Sequence, residues 1–177
     1  MKFCSECGGR VRLKIPDMDD RYRYCCDSCG AVHYQNPKII VGILPIFDNK
    51  LLLCQRAIEP QKGLWTVPSG FMENGESLEE GALREAYEEA GVRPKLDRLH
   101  TIYSLPHINQ VYFLFLGNMD AMTAKKGIET AALSWVELSE IPWKDIAFSS
   151  VSFALKAYEK DLVSGETKVH SGVYEVR

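Results

Sequence analysis

Three glutamates near the end of a predicted helix stand at offsets of zero, three and four: Glu85, Glu88 and Glu89 in "GALREAYEEAGV". At 100° per residue, they fall within a sector of about 100° on the helix surface. Like charges at these offsets repel by about 0.2–0.5 kcal/mol per pair, so the arrangement is unfavourable unless a cation binds there. Mg²⁺ takes oxygen ligands of this kind and bridges to substrate phosphates. A solvated acidic helix face is the alternative, and spacing alone does not decide between them.

Residues upstream of the helix extend this pattern. Gly70 ends a Pro-Ser-Gly loop, and Glu76 lies just before the helix cap. Together with Arg84 and the glutamates, they form G-x5-E-x7-R-E-x2-E-E-x-G, which ends at Gly91. The pattern resembles the signature of the Nudix hydrolase family, and every fixed position of that signature is present.

The resemblance implies a metal-dependent hydrolase that cleaves diphosphate linkages. It implies that Mg²⁺ or Mn²⁺ is bound by the Gly70 carbonyl, Glu85, Glu88 and Glu89. It also implies that Arg84 pairs with these carboxylates and orients them, a role that its planar fork suits. The metal withdraws charge from the phosphoryl oxygens while water attacks phosphorus in line. Which carboxylate is the general base stays open.

A further glutamate from outside the signature is common in this family, often upstream of a strand that ends in Trp. The stretch "GIETAALSWVELSEIP" offers Glu129, six residues before Trp135. By this resemblance, Glu129 is expected to act as an extra metal ligand or as the base. An exposed turn glutamate is the alternative interpretation.

The N-terminal cysteines have the spacing of a zinc site. Cys4-x2-Cys7-x18-Cys26-x2-Cys29 fits the zinc pattern, and Cys25 is the spare because only Cys26 gives the right spacing. Four thiolates about 2.3 Å from Zn²⁺, or from iron in the same place, make a closed structural site. Clustered cysteines in a chain without a secretion signal favour metal over disulfides.

The charge of the chain disfavours nucleic acid as a partner. Residues 1–38 hold seven basic and five acidic side chains, a net +2, and the whole chain carries −3. Four thiolates with one Zn²⁺ add −2, so this N-terminal segment with its metal, which we call the zinc ribbon, is close to neutral. It is therefore expected to bind a phosphate backbone poorly. We expect the ribbon to stabilise the fold or to build a dimer contact. A homodimer is expected by family analogy only.

The sequence changes near Asn36–Pro37 from a polar segment with cysteines to apolar runs. This change predicts two domains, a zinc ribbon over residues 1–36 and a Nudix hydrolase domain over residues 37–177. The fold class expected from the resemblance is α/β, the Nudix α/β/α sandwich with a mixed sheet, preceded by the small ribbon. Neither a run of eighteen apolar residues nor a signal peptide is visible, which predicts a cytoplasmic protein. The patterns predict the following elements: strands over 38–47 and 50–57 joined by "DN", a helix over about 78–90 with a capping box, strands in "LHTIYSL", "QVYFLFLGNM" and "ALSWV", and a helix over 148–165 that buries Phe148, Val151, Leu155, Tyr158 and Leu162.

Two subfamilies resemble the chain to different extents. The NADH pyrophosphatases have an N-terminal ribbon, but their S-Q-P-W motif is absent here. The plant chloroplast-type FAD/ADP-ribose pyrophosphatases are more similar, through "YQNPKIIVG", "LLLCQRAIEPQKGLWTVPSG" and "IPWKDIAFSS". This likeness implies cleavage of FAD to FMN and AMP, or of ADP-ribose to AMP and ribose 5-phosphate.

Four residues are candidates for binding such a substrate. Arg56 ends a strand and has the charge to contact a phosphate, and the rings of Trp65, Phe71 and Tyr103 are suited to stacking. Two alternatives stay open: an NADH/NAD pyrophosphatase, and a Nudix-like domain that binds a metabolite without catalysis.

Overall fold

The structure, a computed structural model, describes residues 1–175 and divides the chain into two compact units, Met1–Pro37 and Lys38–Arg177. The first unit is a three-stranded antiparallel sheet. Both of its cysteine knuckles turn at a glycine with positive φ, Gly8 (71°) and Gly30 (74°). The strands are β1 (Val11–Lys14), β2 (Arg23–Cys26) and β3 (Val32–His33).

The second unit is built on an eight-stranded sheet with the order β10-β5-β4-β9-β8-β11, to which β6 is added through β5 and β7 through β4. Strands β4 and β9 are parallel, as are β8 and β11, and the other pairs are antiparallel. The sheet is therefore mixed, as expected. The strands are β4 (Lys38–Phe47), β5 (Lys50–Arg56), β6 (Trp65–Thr66), β7 (Ser69–Phe71), β8 (Lys95–Leu105), β9 (Gln110–Asn118), β10 (Thr130–Val136) and β11 (His170–Val173).

Two helices, α1 (Leu78–Ala90) and α2 (Ser149–Ser164), cover opposite faces of this sheet. Val41 and Ile43 of β4 pack in one buried cluster with Ala82 and Ala86 of α1. Leu44 and its neighbours on β5 and β9 pack in another cluster with Val151, Ala154 and Leu155 of α2. The expected α/β/α layering is confirmed. Neither helix in the described part of the chain is long and apolar enough to cross a membrane.

The hairpin between β4 and β5 forms at the predicted "DN" turn. Asp48 and Asn49 both have positive φ, 47° and 62°, as a two-residue turn that matches the twist of the strands requires. Local sequence therefore sets this register, with Phe47 opposite Lys50.

Helix α1 begins and ends where its caps predict. The Ser77 hydroxyl accepts the N–H of Glu80 at 3.2 Å, the Glu80 carboxylate accepts the N–H of Ser77 at 2.8 Å, and Gly91 ends the helix at φ 63°. Gly81 has a different reason for lacking a side chain. A Cβ there would lie 2.7 Å from Glu76 Oε1 and 2.8 Å from Val41 Cγ2, so neighbouring side chains, and not a ligand or backbone, require glycine.

The prediction for the second long helix is right in extent but wrong for Leu162, whose side chain is 48% exposed. Asp161 is buried in its place, because Arg98 and His170 bind its carboxylate. Leu162 instead lines an open cavity of about 750 Å³.

Three short strands of the second unit were not predicted, and neither were the three strands of the first unit. Strands β6 and β7 lie within "GLWTVPSGF", a stretch punctuated by glycine and proline for which no strand is predicted above, and add to the sheet beside β5 and β4. Strand β11 pairs in parallel with β8. Its sequence, "HSGV", has no apolar alternation, so only its distant partner identifies it as a strand.

Candidate active site

Strand β7 and helix α1 bring the signature glycine and the first helical glutamate into direct contact. Gly70 pairs with Val41 of β4, and Glu85 is buried, with 8% of its surface exposed. A Cβ on Gly70 would collide with the carboxylate carbon and both carboxylate oxygens of Glu85. Glycine is therefore required at position 70 by the Glu85 carboxylate.

Arg84 lies among four glutamates that we call the carboxylate cluster: Glu76, Glu85, Glu88 and Glu89. Its Nε and Nη2 donate to Oε2 and Oε1 of Glu76 at 3.0 and 2.8 Å, a bidentate pair. Its Nη1 donates to Glu85 Oε1 at 2.7 Å and to Glu88 Oε2 at 3.1 Å, and Nη2 also donates to the Phe71 carbonyl at 3.0 Å. One guanidinium thus fixes three carboxylates and the end of β7.

Glu76 has a role that the sequence analysis did not assign. Arg84, and then the N–H of Glu73 at 2.6 Å, lower the pKa of Glu76 to about 2. Glu76 therefore stays charged and holds the guanidinium, so that Glu85 and Glu88 need not neutralise Arg84 alone. A glutamate at a fixed signature position was a visible signal, but its partner lies eight residues away along the chain.

Glu89 is the carboxylate whose charge is most disfavoured in this cluster. Burial raises the pKa of Glu89 to about 7, although the Ser69 N–H donates to its Oε2 at 3.0 Å and lowers the pKa. Burial also raises the pKa of Glu85, against the lowering effect of Arg84. Partly desolvated carboxylates on one helix face, all offering oxygen ligands, suit a hard dication such as Mg²⁺ or Mn²⁺.

Glu129 lies at the same end of α1 as Glu89. The N–H of Gly127 and the hydroxyl of Thr130 donate to the Glu89 carbonyl at 2.9 and 2.8 Å, so the segment between them is attached to the helix. The charge of Glu129 contributes to the raised pKa of Glu89. The Glu129 side chain is exposed, and its catalytic role stays a prediction.

Arg56 lies at the end of β5, where its charge favours the ionised form of Glu89 and opposes the rise in the pKa of that residue. Its Nε donates to the Pro60 carbonyl at 2.7 Å, and its guanidinium lies 5.1 Å from the centroid of the Phe148 ring. The sequence analysis assigned Phe148 to the helix core. Its contact with Arg56 joins residues more than ninety positions apart, which no local pattern indicates.

The three aromatic candidates differ in their surroundings. Phe71 is 49% exposed, with Lys38 Nζ 5.0 Å from its ring centroid, and Trp65 is half-buried against the core under α2. Tyr103 is only 8% exposed and packs 5.0 Å from the Phe153 ring. Tyr103 is thus the most enclosed of the three rings, and the role of all three in substrate binding stays a prediction.

The four ribbon cysteines meet as their spacing predicts. The Sγ atoms of Cys4 and Cys29 are 3.7 Å apart, those of Cys7 and Cys26 are 3.5 Å apart, and all four lie within 4.8 Å of one another. Four sulfurs about 2.3 Å from one ion would be separated by about 3.8 Å, so the cluster fits Zn²⁺. Cys25 points its sulfur toward the Arg23 carbonyl instead, at 3.7 Å.

Backbone N–H groups and one imidazole lie beside the ribbon sulfurs. The N–H groups of Cys29 and Ser28 donate to Cys26 Sγ and lower the pKa of that thiol to about 6. His33 Nε2 lies 3.2 Å from Cys4 Sγ, a contact that sequence analysis did not anticipate. The two backbone donors favour the thiolate form of Cys26, which is the form that binds zinc.

The chain matches two family models, the one described as "NUDIX domain" over residues 36–155 and the one described as "Nudix N-terminal" over residues 2–35. It belongs to the NUDIX family. The expected Nudix fold and the N-terminal zinc ribbon are thereby confirmed.

Named relatives and a solved structure are similar over different shares of the chain. The NAD-capped RNA hydrolase NudC of Vibrio parahaemolyticus is 30% identical over 145 residues, 80% of this chain and 53% of that protein. The ADP-ribose pyrophosphatase of Methanocaldococcus jannaschii is 32% identical over 115 residues, 62% of this chain and 67% of that protein. The crystal structure of a NUDIX hydrolase from Nitrosomonas europaea is 48% identical, with a TM-score of 0.94, and the match covers 98% of this chain and 99% of that one.

These Nudix relatives limit how specific a function can be inferred for this chain. The chain spans about half the length of the NudC relative that it matches. The resemblance to plant chloroplast-type FAD/ADP-ribose pyrophosphatases stays a prediction, as does FAD itself, because none of the three names contains FAD.

Proposed function

We propose that this Nudix chain is a pyrophosphohydrolase that uses Mg²⁺ or Mn²⁺ to cleave the diphosphate of a nucleotide joined to a second group. The observation that carries the proposal is the Arg84-centred cluster, in which one guanidinium orients Glu85 and Glu88 beside Gly70. A binding module has no need of acidic side chains held this closely, because their mutual repulsion is costly without a cation.

The proposed ligands are the carbonyl of Gly70 and the carboxylates of Glu85, Glu88 and Glu89. A dication bound there would neutralise charge that develops on the phosphoryl oxygens. Within the chain, Arg84 positions the carboxylates and Glu76 keeps Arg84 in place.

Glu89 and Glu129 are the proposed candidates for handling the proton of the attacking water. Burial raises the pKa of Glu89 to about 7 in the metal-free chain. A dication beside it would keep the carboxylate ionised, and able to accept a proton only where it is not a ligand. Glu129 is exposed and is able to move without disturbing the core.

We propose Arg56 as the phosphate contact and Phe71 and Trp65 as the ring contacts of the substrate. Arg56 is half-buried and is held near the carboxylates by the Pro60 carbonyl. Phe71 follows Gly70 directly and presents an exposed ring. A charge beside a flat apolar surface suits a diphosphate linked to a base or flavin.

ADP-ribose, NAD(H) and FAD all contain this chemistry. The names of the relatives support ADP-ribose and NAD at least as well as FAD. The NudC name also favours a second candidate, the NAD-capped end of an RNA, against the expectation from charge that nucleic acid is not a partner. The homodimer and the cytoplasmic location remain predictions.

The first experiment is a turnover panel with Mg²⁺ or Mn²⁺ that offers ADP-ribose, NADH, FAD, a nucleoside triphosphate and an NAD-capped RNA side by side. Each reaction is repeated with Glu89→Gln and with Glu79→Gln, a matched change at an exposed position on the same helix. We expect turnover of at least one dinucleotide or ADP-ribose, loss of turnover in Glu89→Gln, and none of that loss in Glu79→Gln.

Different outcomes favour different functions. Preference for the capped RNA over free NADH assigns the chain to RNA ends. Binding of a nucleotide without turnover of any substrate overturns the proposed activity and favours the non-catalytic binder.

A further inference from the structure

A second cluster of potential ligands lies away from the carboxylates of α1. His100 of β8, Asp161 of α2 and His170 of β11 have side-chain ligand atoms within 4.8 Å of one another. Helix α2 covers the sheet face opposite α1, so this cluster is separate from the proposed active site. Neither the Nudix signature nor the proposed reaction uses these three residues.

The backbone contact of His100 identifies which ring nitrogen carries the proton of the neutral imidazole. The side chain is fully buried, and its Nε2 lies 3.0 Å from the carbonyl oxygen of Ala154. Because a carbonyl only accepts, Nε2 carries the proton, and the other ring nitrogen of a neutral imidazole presents a lone pair.

That lone pair faces a carboxylate. His100 Nδ1 has no hydrogen-bond partner among the described residues and lies 3.7 Å from Asp161 Oδ2. Asp161 is itself buried, with 6% of its surface exposed. Asp161 Oδ2 accepts from Arg98, but His100 Nδ1 is a buried acceptor without a donor, which is unfavourable unless a cation binds it.

His170 completes a donor set that is typical of a transition metal. Its Nε2 lies 2.7 Å from Asp161 Oδ1, and its side chain is 15% exposed. Two imidazole nitrogens and one carboxylate oxygen suit Zn²⁺, whose ligands at about 2.0–2.2 Å stand about 3.3–3.5 Å apart in a tetrahedron. The ligand atoms of the three side chains lie within 4.8 Å of one another, so the set is compact enough for one ion once His170 Nε2 has lost its proton.

Arg98 decides which cation suits the cluster. Its Nη2 donates to Asp161 Oδ2 at 3.1 Å, which orients the carboxylate so that Oδ1 faces the His170 imidazole, the second proposed ligand. Its positive charge weakens binding of any dication. This charge disfavours Mg²⁺, which depends on anionic oxygen ligands, more than Zn²⁺, which binds neutral imidazole well. An ion has a route of entry, because Arg98, Tyr158 and Asp161 line the open cavity of about 750 Å³.

We propose that His100 Nδ1, Asp161 Oδ1 and His170 Nε2 bind Zn²⁺ or a similar divalent transition metal. The ion would join β8, α2 and β11. It would therefore fasten the C-terminal strand to the rest of the second unit.

The test counts zinc in the full chain after dialysis against ZnCl₂, with excess Mg²⁺ present to compete for the α1 carboxylates. Three proteins are compared: the unmodified chain, His170→Asn, and His107→Asn as a matched control, since His107 lies outside the cluster. We expect His170→Asn to retain one zinc equivalent fewer than the other two. Equal zinc in all three proteins overturns the proposal.

A second measurement needs no variant and so does not depend on whether His170→Asn folds. The imidazole ¹⁵N resonances of the unmodified chain are followed as ZnCl₂ is added. We expect the ring nitrogens of His100 and His170 to shift while those of His107 stay in place. An unchanged His100 Nδ1 resonance at saturating zinc overturns the proposal, whether or not the chain turns over any nucleotide.

Discussion

The buried carboxylate of Glu89 links the stability of the chain to its proposed chemistry. A carboxyl group whose pKa is about 7 in the folded chain and about 4.5 when unfolded binds its proton more tightly in the folded state. The tighter binding of this proton stabilises the folded state. That stabilisation is fully present below pH 4.5 and is lost as the pH rises through 7. The same burial that disfavours the charge prepares the carboxylate for a cation.

We predict that Glu89→Gln stabilises the metal-free protein at pH 8 while abolishing turnover. The neutral amide avoids the cost of the buried charge, and the gain in the free energy of unfolding is on the order of 2–3 kcal/mol relative to the same comparison at pH 4.5. Urea unfolding at both pH values, with a chelator present, measures it. Glu79→Gln, at an exposed position in the first turn of α1, should show no gain in stability at pH 8, and equal stability of Glu89→Gln and the unmodified chain at pH 8 would contradict the prediction.

We predict that Arg84→Lys lowers kcat/KM by on the order of 100-fold, because an ammonium group cannot reproduce the bidentate pair with Glu76 and also hold Glu85 and Glu88. Steady-state kinetics on the preferred substrate measures the loss. Arg93→Lys is the matched control, since Arg93 is exposed near the same helix and lies 4.2 Å from the Tyr87 ring. If both variants retain full activity, Arg84 does not orient the cluster.

The sequence predicts site residues that recur at helical spacing along α1 more completely than site residues that lie on separate elements and come together only in the folded chain. Glu85, Glu88 and Arg84 are visible in a short stretch, because helical spacing brings them together. The contact between Arg56 and Phe148 depends on two elements that meet only in the folded chain. The enclosure of Tyr103 was likewise not visible in the sequence, because a residue type does not reveal how far its ring is covered.

At the scale of elements, α1 is held by its caps as much as by its packing. Ser77 and Glu80 exchange hydrogen bonds at the N-terminus, and the N–H of Lys125 donates to the Ala90 carbonyl at the other end. A displaced first turn would shift Glu76, which lies immediately before it.

We predict that Ser77→Ala lowers the free energy of unfolding of the second unit by about 1 kcal/mol, through loss of the side-chain acceptor for the Glu80 N–H. Urea titration of the full chain measures the change. Ser77→Asp restores an acceptor at the same position and should unfold at nearly the same urea concentration as the unmodified chain. A similar loss in both variants would mean that the cap is not the cause.

Sequence predicted the elements that carry their own boundary signals. The "DN" turn and the capping box each place φ angles and hydrogen bonds locally, so the hairpin and α1 are found where expected. Strand β11 has no such signals, and its place is set by pairing with β8. Leu162 continues the apolar face of α2, but the sheet beneath that turn offers Arg98 and His170 in place of apolar partners.

At the scale of the whole molecule, the two units are stabilised by different means. The second unit has two large buried clusters, one on each face of its sheet. The first unit has its cysteines as its main buried apolar residues: Cys4, Cys25 and Cys26. A segment with so little apolar burial depends on its metal to fold.

We predict that Cys26→Ser removes one zinc equivalent and unfolds the first unit alone, while Cys25→Ser retains the metal. Cys25 cannot replace its neighbour, because alternate residues of β2 point to opposite faces and its sulfur lies beside the Arg23 carbonyl. Zinc analysis combined with the amide spectrum of residues 1–37 measures both effects. Retention of zinc in Cys26→Ser would show that another ligand, such as His33, substitutes for the thiolate.

The attachment of residues 125–130 to the last turn of α1 limits where the chain tolerates insertion. Lys125 and Gly127 donate backbone N–H groups to the Ala90 and Glu89 carbonyls, and a Cβ on Gly127 would collide with the Glu88 carbonyl. An engineer who wishes to place a peptide tag or a fluorophore in this loop therefore has room only before Lys125, at the exposed residues 120–124. A label inserted a few residues later would separate the strand that follows Glu129 from the helix that carries the other carboxylates.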